Sequence, residues 1–136
     1  QTIQEVSRRG KYLVFHFDDY QLLSHLRMEG KYFYVDSDFE LNPHVHAIFT
    51  LENGKRLLYQ DTRKFGTYHL YDKAIDLETT APFQVLGLEP FATEFTPSYV
   101  KEKIQNKKKP IKSLLLDQTV VCGLGNIYVD EVLYRA

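Results

Sequence analysis

The sequence KSLLLDQTVVCGLGNIYVDEVLYRA, Lys112 to Ala136, decides the fold of the C-terminal part of this chain. Its first apolar residues follow helical spacing, and Asp117 and Gln118 close that run. Helical spacing resumes after a turn that contains two glycines, at residues 123 to 126. The stretch therefore predicts two helices joined by a glycine-rich turn.

The second helix is predicted to begin at Asn126, whose side chain can act as the N-cap by accepting a bond from a backbone N–H. Gly123 and Gly125 allow positive φ and a close approach to another molecule. A helix start gathers free N–H groups and the positive end of the helix dipole, so Gly125 and Asn126 form a candidate phosphate site. An ordinary helix–turn–helix corner is the alternative. One face of this helix is predicted to be apolar, with Ile127, Val129, Val132 and Leu133.

Composition places bounds on the class of protein. A length of 136 residues with 43% hydrophobic residues is sufficient for one packed domain. The formal net charge of −1 gives no global argument for nucleic-acid binding, so such a site must depend on local clusters. The single cysteine, Cys122, excludes an internal disulfide, cannot form a zinc site alone, and is predicted to pack in the core. The absence of an apolar run of about 20 residues and of a signal-peptide pattern predicts a cytoplasmic protein without membrane contact.

Residues 1 to about 72 predict an antiparallel sheet or sandwich. Apolar and aromatic residues alternate, so that Leu13 and Phe15 share one face and Tyr12 and Val14 the other. Turn residues separate the runs, for example at 52 to 55. The predicted strands are Thr2 to Ser7, Tyr12 to Phe17, Gln21 to Leu26, Gly30 to Val35, His44 to Leu51, Arg56 to Asp61 and Thr67 to Tyr71.

Two turns of this predicted sheet carry candidate functional residues. The corner Arg8 to Lys11 can place three cations beside one another on a surface, where solvation alone is the alternative. His25 ends a strand, and the only methionine, Met28, follows it at a turn. Methionine is unbranched and polarizable and can slide between stacked bases, although core filling is its commoner use.

A third turn, Asp61 to Gly66, displays two cations and an aromatic ring. A base flipped out of a duplex leaves a hole that Phe65 can fill, while Arg63 can bond the orphaned partner base. An Arg–Asp pair beside a core Phe is the alternative. His44 and His46 have the spacing of one strand face, but no third ligand is evident and no metal is predicted. His46 is expected to pack or bond within the sheet.

The C-terminal third carries a local basic cluster. Residues 76 to 90 lack periodicity and predict a linker. Thr96 as N-cap and Pro97 as first residue predict a helix that runs to about Asn106. Six lysines follow or lie within it, opposed locally only by Glu102, and phosphate is their natural partner, with a solvated face as the alternative. They are Lys101, Lys103, Lys107, Lys108, Lys109 and Lys112.

The strings Leu115 to Gln118 and Gly123 to Glu131, together with Arg63 to Gly66, resemble the formamidopyrimidine-DNA glycosylase family of bacterial repair enzymes. The resemblance spans nearly the whole chain. It implies an α+β fold, an antiparallel β-sandwich followed by a helical helix-two-turn-helix segment. Residues 1–90 would form the sandwich part, without the family's first helix and strand, and residues 91–136 the first part of the DNA-binding domain.

The resemblance also implies roles for individual residues. Lys11 would lie at the lesion and support catalysis, Met28, Arg63 and Phe65 would insert into the DNA, and His44 would bind phosphate. The complete set of DNA-binding residues that it implies is His25, Met28, His44, Arg63, Phe65, Lys108, Lys112, Gly125 and Asn126.

Members of this family excise oxidised purines such as 8-oxoguanine and formamidopyrimidine from damaged double-stranded DNA and then cleave the abasic strand. Their nucleophile is an N-terminal proline assisted by an adjacent glutamate, and a C-terminal finger holds one zinc. The sequence shows neither that catalytic pair nor the finger, so we expect a monomeric, inactive fragment without a cofactor. A non-catalytic DNA-binding module is the alternative. An RNA-binding or ribosomal protein is another, against which the Arg63 to Gly66 motif argues.

Overall fold

The computed structural model describes residues 1–136 as two antiparallel sheets followed by three α-helices. The first sheet has the strand order β1-β2-β3-β7 and the second the order β4-β6-β5. The predicted β-sandwich with a following helical segment is confirmed. The elements are β1 (Glu5–Arg9), β2 (Tyr12–His16), β3 (Tyr20–His25), β4 (Lys31–Asp36), β5 (Val45–Thr50), β6 (Lys55–Gln60), β7 (Thr67–Asp72), a 3₁₀ turn (Leu77–Thr79), α1 (Pro97–Ile104), α2 (Ile111–Leu115) and α3 (Asn126–Arg135).

One face of the first sheet forms a small apolar core with the segment that follows β7. Val14 of β2 lies directly opposite Leu23 of β3, so both side chains point to the same side of the sheet. Phe83 packs against them from outside the sheet, and all three are buried. The half-buried residues around this cluster are Tyr12, Tyr71, Leu77 and Leu86.

The opposite face of the first sheet meets the second sheet through an aromatic layer. The ring centroids of Phe15 and Tyr32 lie 5.3 Å apart, those of Tyr32 and Tyr59 5.3 Å, and those of Tyr59 and Tyr68 5.2 Å. The Tyr32 hydroxyl donates to Ser24 Oγ at 2.9 Å and bonds the Tyr68 hydroxyl at 2.8 Å. The rings of this layer therefore bury apolar surface, while the tyrosine hydroxyls keep hydrogen-bond partners.

The segment predicted as a linker, residues 76 to 90, is packed on both parts of the molecule. Phe83 belongs to the sandwich core, with 3% of its surface exposed. Leu88 forms a parallel bridge with Val121, and its carbonyl accepts the Cys122 N–H at 3.0 Å. The prolines and the glycine of this segment prevent a regular helix or strand, so its sequence shows no hydrophobic periodicity. Single side chains of the segment can still fill a core. The segment therefore joins the sandwich to the helical part.

Helix α1 begins as predicted. Thr96 Oγ1 accepts the Tyr99 N–H at 3.2 Å, and Pro97 is the first helical residue. The helix ends at Ile104 rather than near Asn106, which has a φ of +66° that a right-handed helix cannot include. None of the helices has the length and hydrophobicity that a membrane crossing requires.

Helix α3 differs from the prediction at its start and on its apolar face. Asn126 is the first helical residue, so Gly125 holds the N-cap position, and no side chain caps the helix. Only Val129 is fully buried, whereas Ile127 is 78% and Val132 50% exposed. The reason is that α2 has only five residues and can cover only about one turn of its neighbour.

Replacing Phe83 with alanine tests whether the predicted linker is part of the core. Phe83→Ala is expected to lower the free energy of unfolding by about 3–5 kcal/mol, since a buried ring leaves a cavity. Urea denaturation followed by circular dichroism measures the change. The matched control is Phe91→Ala, because Phe91 is 96% exposed. Similar losses for both variants would contradict the assignment of Phe83 to the core.

Candidate functional site

The loop between β6 and β7 is held from inside by Asp61, which is 1% exposed. Asp61 Oδ1 accepts the Arg63 N–H at 3.1 Å, and Oδ2 accepts the Gly66 N–H at 2.8 Å. These bonds hold the pKa of the Asp61 carboxyl below its usual value, and the bond from Gly66 has the largest effect. Burial acts in the opposite direction but is outweighed. The carboxylate is therefore ionised at neutral pH and fixes the loop through charge-assisted bonds.

This loop presents an aromatic ring and a cation to solvent. Phe65 is 52% exposed, and the Arg63 guanidinium lies over its ring at 4.7 Å from the centroid. Between them Lys64 has a φ of +57°, a conformation that needs support from its surroundings in a residue other than glycine. The alternative of an Arg–Asp pair beside a core Phe is wrong, because Asp61 accepts the backbone N–H of Arg63 and Phe65 lies outside the core.

The turn between β3 and β4 presents a second apolar side chain. Met28 is 74% exposed, so core filling is not its role. The Gly30 N–H donates to the Leu26 carbonyl at 3.0 Å and closes the turn. Arg27, with a φ of +55°, donates its N–H to His25 Nδ1 at 3.0 Å. We name residues 26–30 the Met28 loop and residues 61–66 the Phe65 loop.

His25 lies at the base of the Met28 loop as a neutral group. Its ring meets the Tyr12 ring edge-on, with the centroids 4.6 Å apart. Burial, followed by the positive charges of Arg27 and Lys11, lowers the pKa of His25 below its ordinary value. Because Nδ1 accepts the Arg27 N–H, the compatible neutral tautomer carries its hydrogen on Nε2. His25 is therefore a hydrogen-bond donor without charge at neutral pH.

Lys11 lies at the turn between β1 and β2, where its ammonium reaches the start of α3. A Cβ placed on Gly125 would lie 3.6 Å from Lys11 Nζ. The first turn of α3 has no side-chain cap, and Asn126 is exposed there. The free N–H groups, the helix dipole and the ammonium therefore favour an anion at the same place. The structure brings Lys11, Gly125 and Asn126 together.

The turn before α3 depends on Gln118, whose role the sequence pattern did not reveal. Gln118 Oε1 accepts the Gly123 N–H at 2.9 Å, while Nε2 donates to the carbonyls of Leu124 at 2.9 Å and Leu116 at 3.1 Å. Gly123 has the expected positive φ, +90°, whereas Gly125 is extended with a φ of −119°. One amide side chain thus replaces three bonds that the irregular backbone cannot make by itself.

Glu89 ties the Lys11 turn to the helical part. Its carboxylate accepts the Gly10 N–H at 2.6 Å and bonds from the Arg8 guanidinium at 3.1 Å. Burial would raise the pKa of Glu89, but the bonds from Gly10 and then Arg8 outweigh it and hold the pKa below its usual value. The carboxylate therefore stays ionised and fixes the turn that carries Lys11.

The prediction that Arg8, Arg9 and Lys11 form a surface cluster of cations is wrong. Arg8 and Arg9 end β1, and both guanidinium groups turn to the Glu89 carboxylate, with N–O distances of 3.1 and 3.6 Å, so neither is a free surface cation. The Arg9 side chain is only 22% exposed, and its Nη1 lies 2.6 Å from Cys122 Sγ. Arg8 is paired with Glu89. Lys11 is therefore the cation of this corner that faces the start of α3.

The basic cluster of the C-terminal third is partly neutralised in three dimensions. Lys112 Nζ lies 2.6 Å from Asp130 Oδ1, and both side chains are about half exposed. Glu102 is the only acidic residue among these lysines in the sequence, but in the fold α3 also brings Asp130 to Lys112. Lys108 is exposed.

The two histidines before and within β5 do not form a metal pair. His46 Nε2 bonds the Asp61 carbonyl at 2.8 Å, as expected for a histidine bonded within the sheet. A bulge between Val45 and Ala47 breaks the strand alternation, so the spacing does not fix both rings on one face. His44 is exposed. No group of three or more His, Cys, Asp or Glu side chains could hold a metal ion.

Two family models match this chain. Residues 1–68 match the formamidopyrimidine-DNA glycosylase N-terminal domain, and residues 86–136 match the formamidopyrimidine-DNA glycosylase H2TH domain. Proteins named formamidopyrimidine-DNA glycosylase from Bacillus licheniformis and Bacillus subtilis are 52% and 50% identical to it over 136 residues. The match covers all of this chain and 49% of each relative, so the chain spans about half their length.

Solved structures of a protein of the same name also match this chain. Lactococcus lactis Fpg in a complex with DNA that contains an abasic site matches with a TM-score of 0.87 and 45% sequence identity, covering 98% of this chain and 49% of that protein. The complex of the Lactococcus lactis protein with FAPY-dG containing DNA matches with the same TM-score and identity, covering 98% of this chain and 50% of the other.

The dependence of the Phe65 loop on an ionised Asp61 predicts a pH-dependent stability difference. Asn at this position offers one acceptor oxygen, so Asp61→Asn should lose one of the loop bonds. The pKa of Asp61 is depressed in the folded state, so its contribution is present above the unfolded value of about 4 and is lost as the pH falls through the lower folded value. The difference from wild type should be largest near neutrality.

Urea denaturation at intervals from pH 7 to pH 2.5 measures this difference, which should shrink below about pH 4. Asp38→Asn is the control, because Asp38 is exposed and makes no side-chain hydrogen bond within the chain. An Asp61→Asn difference that stayed constant over the range would show that the charge does not stabilise the loop.

Proposed function

The chain belongs to the formamidopyrimidine-DNA glycosylase family, and on this premise we propose that it serves base-excision repair of DNA. The reaction is removal of oxidised purines, 8-oxoguanine and formamidopyrimidine, with cleavage of the abasic strand. The observation that carries the proposal is the pair of exposed apolar side chains, Met28 and Phe65, on two neighbouring turns closed by internal bonds. Such side chains have no use in this chain's own core.

The two loops suit a duplex from which a base has been flipped. Extruding a base costs a few kcal/mol of stacking and pairing, least for a damaged base. Phe65 and Met28 can enter the vacated space, and Arg63 beside the ring can bond the partner base. Because Asp61 fixes the Phe65 loop before DNA arrives, little further ordering is needed on binding.

Phosphate contacts would hold the strand while the loops insert. Lys11 and the uncapped start of α3 at Gly125 and Asn126 combine an ammonium, free N–H groups and the helix dipole. His25, His44, Lys108 and Lys112 complete the proposed contacts, which makes damaged double-stranded DNA the proposed partner of a monomer. To contact a phosphate, Lys112 must break its ion pair with Asp130 or bond both groups at once.

These 136 residues do not supply the family's proline nucleophile. All five prolines are internal, at positions 43, 82, 90, 97 and 110, and their nitrogens are in peptide bonds. Schiff-base chemistry needs a free amine. We assign recognition and distortion of DNA to this chain, with Lys11 in a supporting role near the reacting sugar, and we expect the 136-residue polypeptide to be inactive alone.

The family's zinc does not fit the residues of this chain. Cys122 is the single cysteine, is fully buried and bonds Arg9 through its Sγ. A cysteine-rich zinc site therefore cannot be formed from them. We further propose that residues 1–90 are the sandwich part and residues 91–136 the first part of the helix-two-turn-helix domain. The proposed site of action is the bacterial cytoplasm, where the DNA substrate lies.

Replacing Phe65 tests the proposed insertion. Phe65→Ala should lower the preference for a duplex with a tetrahydrofuran abasic analogue over an intact duplex about tenfold, since stacking of an aromatic side chain on a base is worth about 1–3 kcal/mol. Fluorescence anisotropy titrations of both duplexes measure the ratio. Lys108→Ala is the control, because loss of a phosphate contact should weaken both duplexes equally and reduce the salt dependence. An unchanged ratio for Phe65→Ala would reject the insertion.

A DNA-binding module without chemistry is the second candidate, favoured by the absence of a free proline amine. Borohydride reduction with abasic DNA, applied to this polypeptide and to one extended at its N-terminus by the family's catalytic segment, separates the candidates, because it traps a covalent adduct only if an amine of the protein has formed a Schiff base. The 136-residue polypeptide should give no adduct. An adduct lost in Lys11→Met would instead assign amine chemistry to Lys11.

A further inference from the structure

The hydroxyl of Tyr59 lies where the Met28 loop and the Phe65 loop meet. Tyr59 belongs to β6, the central strand of the second sheet, and is 4% exposed. We propose that Tyr59 is a positioning residue whose hydroxyl fixes these two loops relative to each other, so that Met28 and Phe65 are presented to DNA as one unit. This inference rests on the proposed function, for which it names a specificity-determining residue outside the DNA contacts.

The two glycines that close the loops provide the first observation. A Cβ placed on Gly66 would lie 1.6 Å from the Tyr59 hydroxyl oxygen, and a Cβ placed on Gly30 would lie 2.7 Å from it. Both distances are under 3.0 Å, a separation that Cβ atoms essentially never show. At Gly66 the hydroxyl therefore occupies the side-chain position, and at Gly30 it shares that space with the Leu26 carbonyl oxygen, which would lie 2.6 Å from the added Cβ.

Hydrogen bonding provides the second observation. The Tyr59 hydroxyl donates to Asp61 Oδ2 at 3.1 Å, the same oxygen that accepts the Gly66 N–H at 2.8 Å. The other oxygen of Asp61 accepts the Arg63 N–H. Burial, and then the bond to Asp61, raise the pKa of Tyr59 to about 12, so the phenol remains a donor at neutral pH.

The ring of Tyr59 connects this contact to the core. It lies in the aromatic layer between Tyr32 and Tyr68, at centroid distances of 5.3 and 5.2 Å. Tyr59 is also directly opposite Tyr32 in the β4–β6 pairing and opposite Ala47 in the β5–β6 pairing. Its ring is thus held on several sides, and its hydroxyl extends that rigidity to the two loops that present Met28, Arg63 and Phe65 to solvent.

Removal of the hydroxyl alone tests the inference. Tyr59→Phe keeps the ring in the aromatic layer and should lower the preference for the abasic-analogue duplex about fivefold, the effect of losing one hydrogen bond. Binding to intact duplex should change less than twofold. Tyr32→Phe is the matched control, since that hydroxyl bonds Ser24 and Tyr68 in the same layer and neither loop. Its preference should equal that of wild type.

Two further measurements separate positioning from general stability. In the double variant Tyr59→Phe with Phe65→Ala, the two losses of preference should not add, because the hydroxyl acts through the Phe65 loop. In the free protein, amide hydrogen exchange of residues 26–30 and 61–66 should accelerate in Tyr59→Phe and not in Tyr32→Phe.

The outcomes distinguish this inference from the proposed function. If Phe65→Ala loses preference and Tyr59→Phe retains it, the positioning role is overturned while the function stands. Additive losses, or acceleration of exchange spread over the whole sheet, would likewise overturn it in favour of a structural role. If wild type shows no preference, the proposed function fails, and faster exchange confined to the two loops would still establish their coupling through Tyr59.

Discussion

An ionised carboxylate removed from water loses several kcal/mol of hydration unless hydrogen bonds replace it. Asp61 is 1% exposed and meets this requirement with two backbone N–H groups and the Tyr59 hydroxyl. The donors of those backbone bonds lie two and five residues further along the chain, so satisfying the charge requires the loop to close. The position of Phe65 and Arg63 is thus a consequence of electrostatics inside the protein, and the exposed side chains themselves remain free to contact another molecule.

A second constraint, made by partly buried polar groups, joins the two parts of the chain. Glu89 accepts from Gly10, 79 residues earlier, while Arg9 reaches Cys122 across 113 residues. The pairing of Leu88 with Val121 lies beside these bonds. The ammonium of Lys11 and the start of α3 come from distant parts of the sequence, and this junction sets their distance. The candidate phosphate site is therefore a property of both parts together.

Much of this architecture could be predicted from local patterns. Alternation located all seven strands, and the Thr96-Pro97 pair located the start of α1. Strand ends were less certain, since alternation does not show where pairing stops. The first strand was expected at residues 2 to 7 and lies at Glu5–Arg9, because the chain reverses only at Gly10, whose φ is +57°. Exposure of Met28 and Phe65 agrees with their predicted use, whereas their contacts with DNA remain predictions.

Groups that act across long sequence separations could not be found in the same way. The neighbouring sequence of Gln118, Glu89 and Tyr59 does not reveal their structural roles. A polar side chain at such a position can bond inside the protein or simply face solvent, and the local pattern does not distinguish the two. The pairing of Lys112 with Asp130 was missed for the same reason, since opposite charges 18 residues apart meet only when α2 and α3 pack. These are contacts of the folded chain, and their partners follow from topology rather than from spacing.

The glycines of the candidate site illustrate how structure refines a sequence motif. Gly66 is required by the chain itself, because the Tyr59 hydroxyl fills its side-chain position. Gly125 differs: its backbone is extended, which any residue adopts, and an added Cβ would meet Lys11 Nζ at 3.6 Å, an ordinary contact. Neither conformation nor internal packing therefore demands glycine at position 125. The position adjoins the N–H groups of α3 and the ammonium of Lys11, so the structure leaves close approach by an anion as the proposed reason for a glycine here.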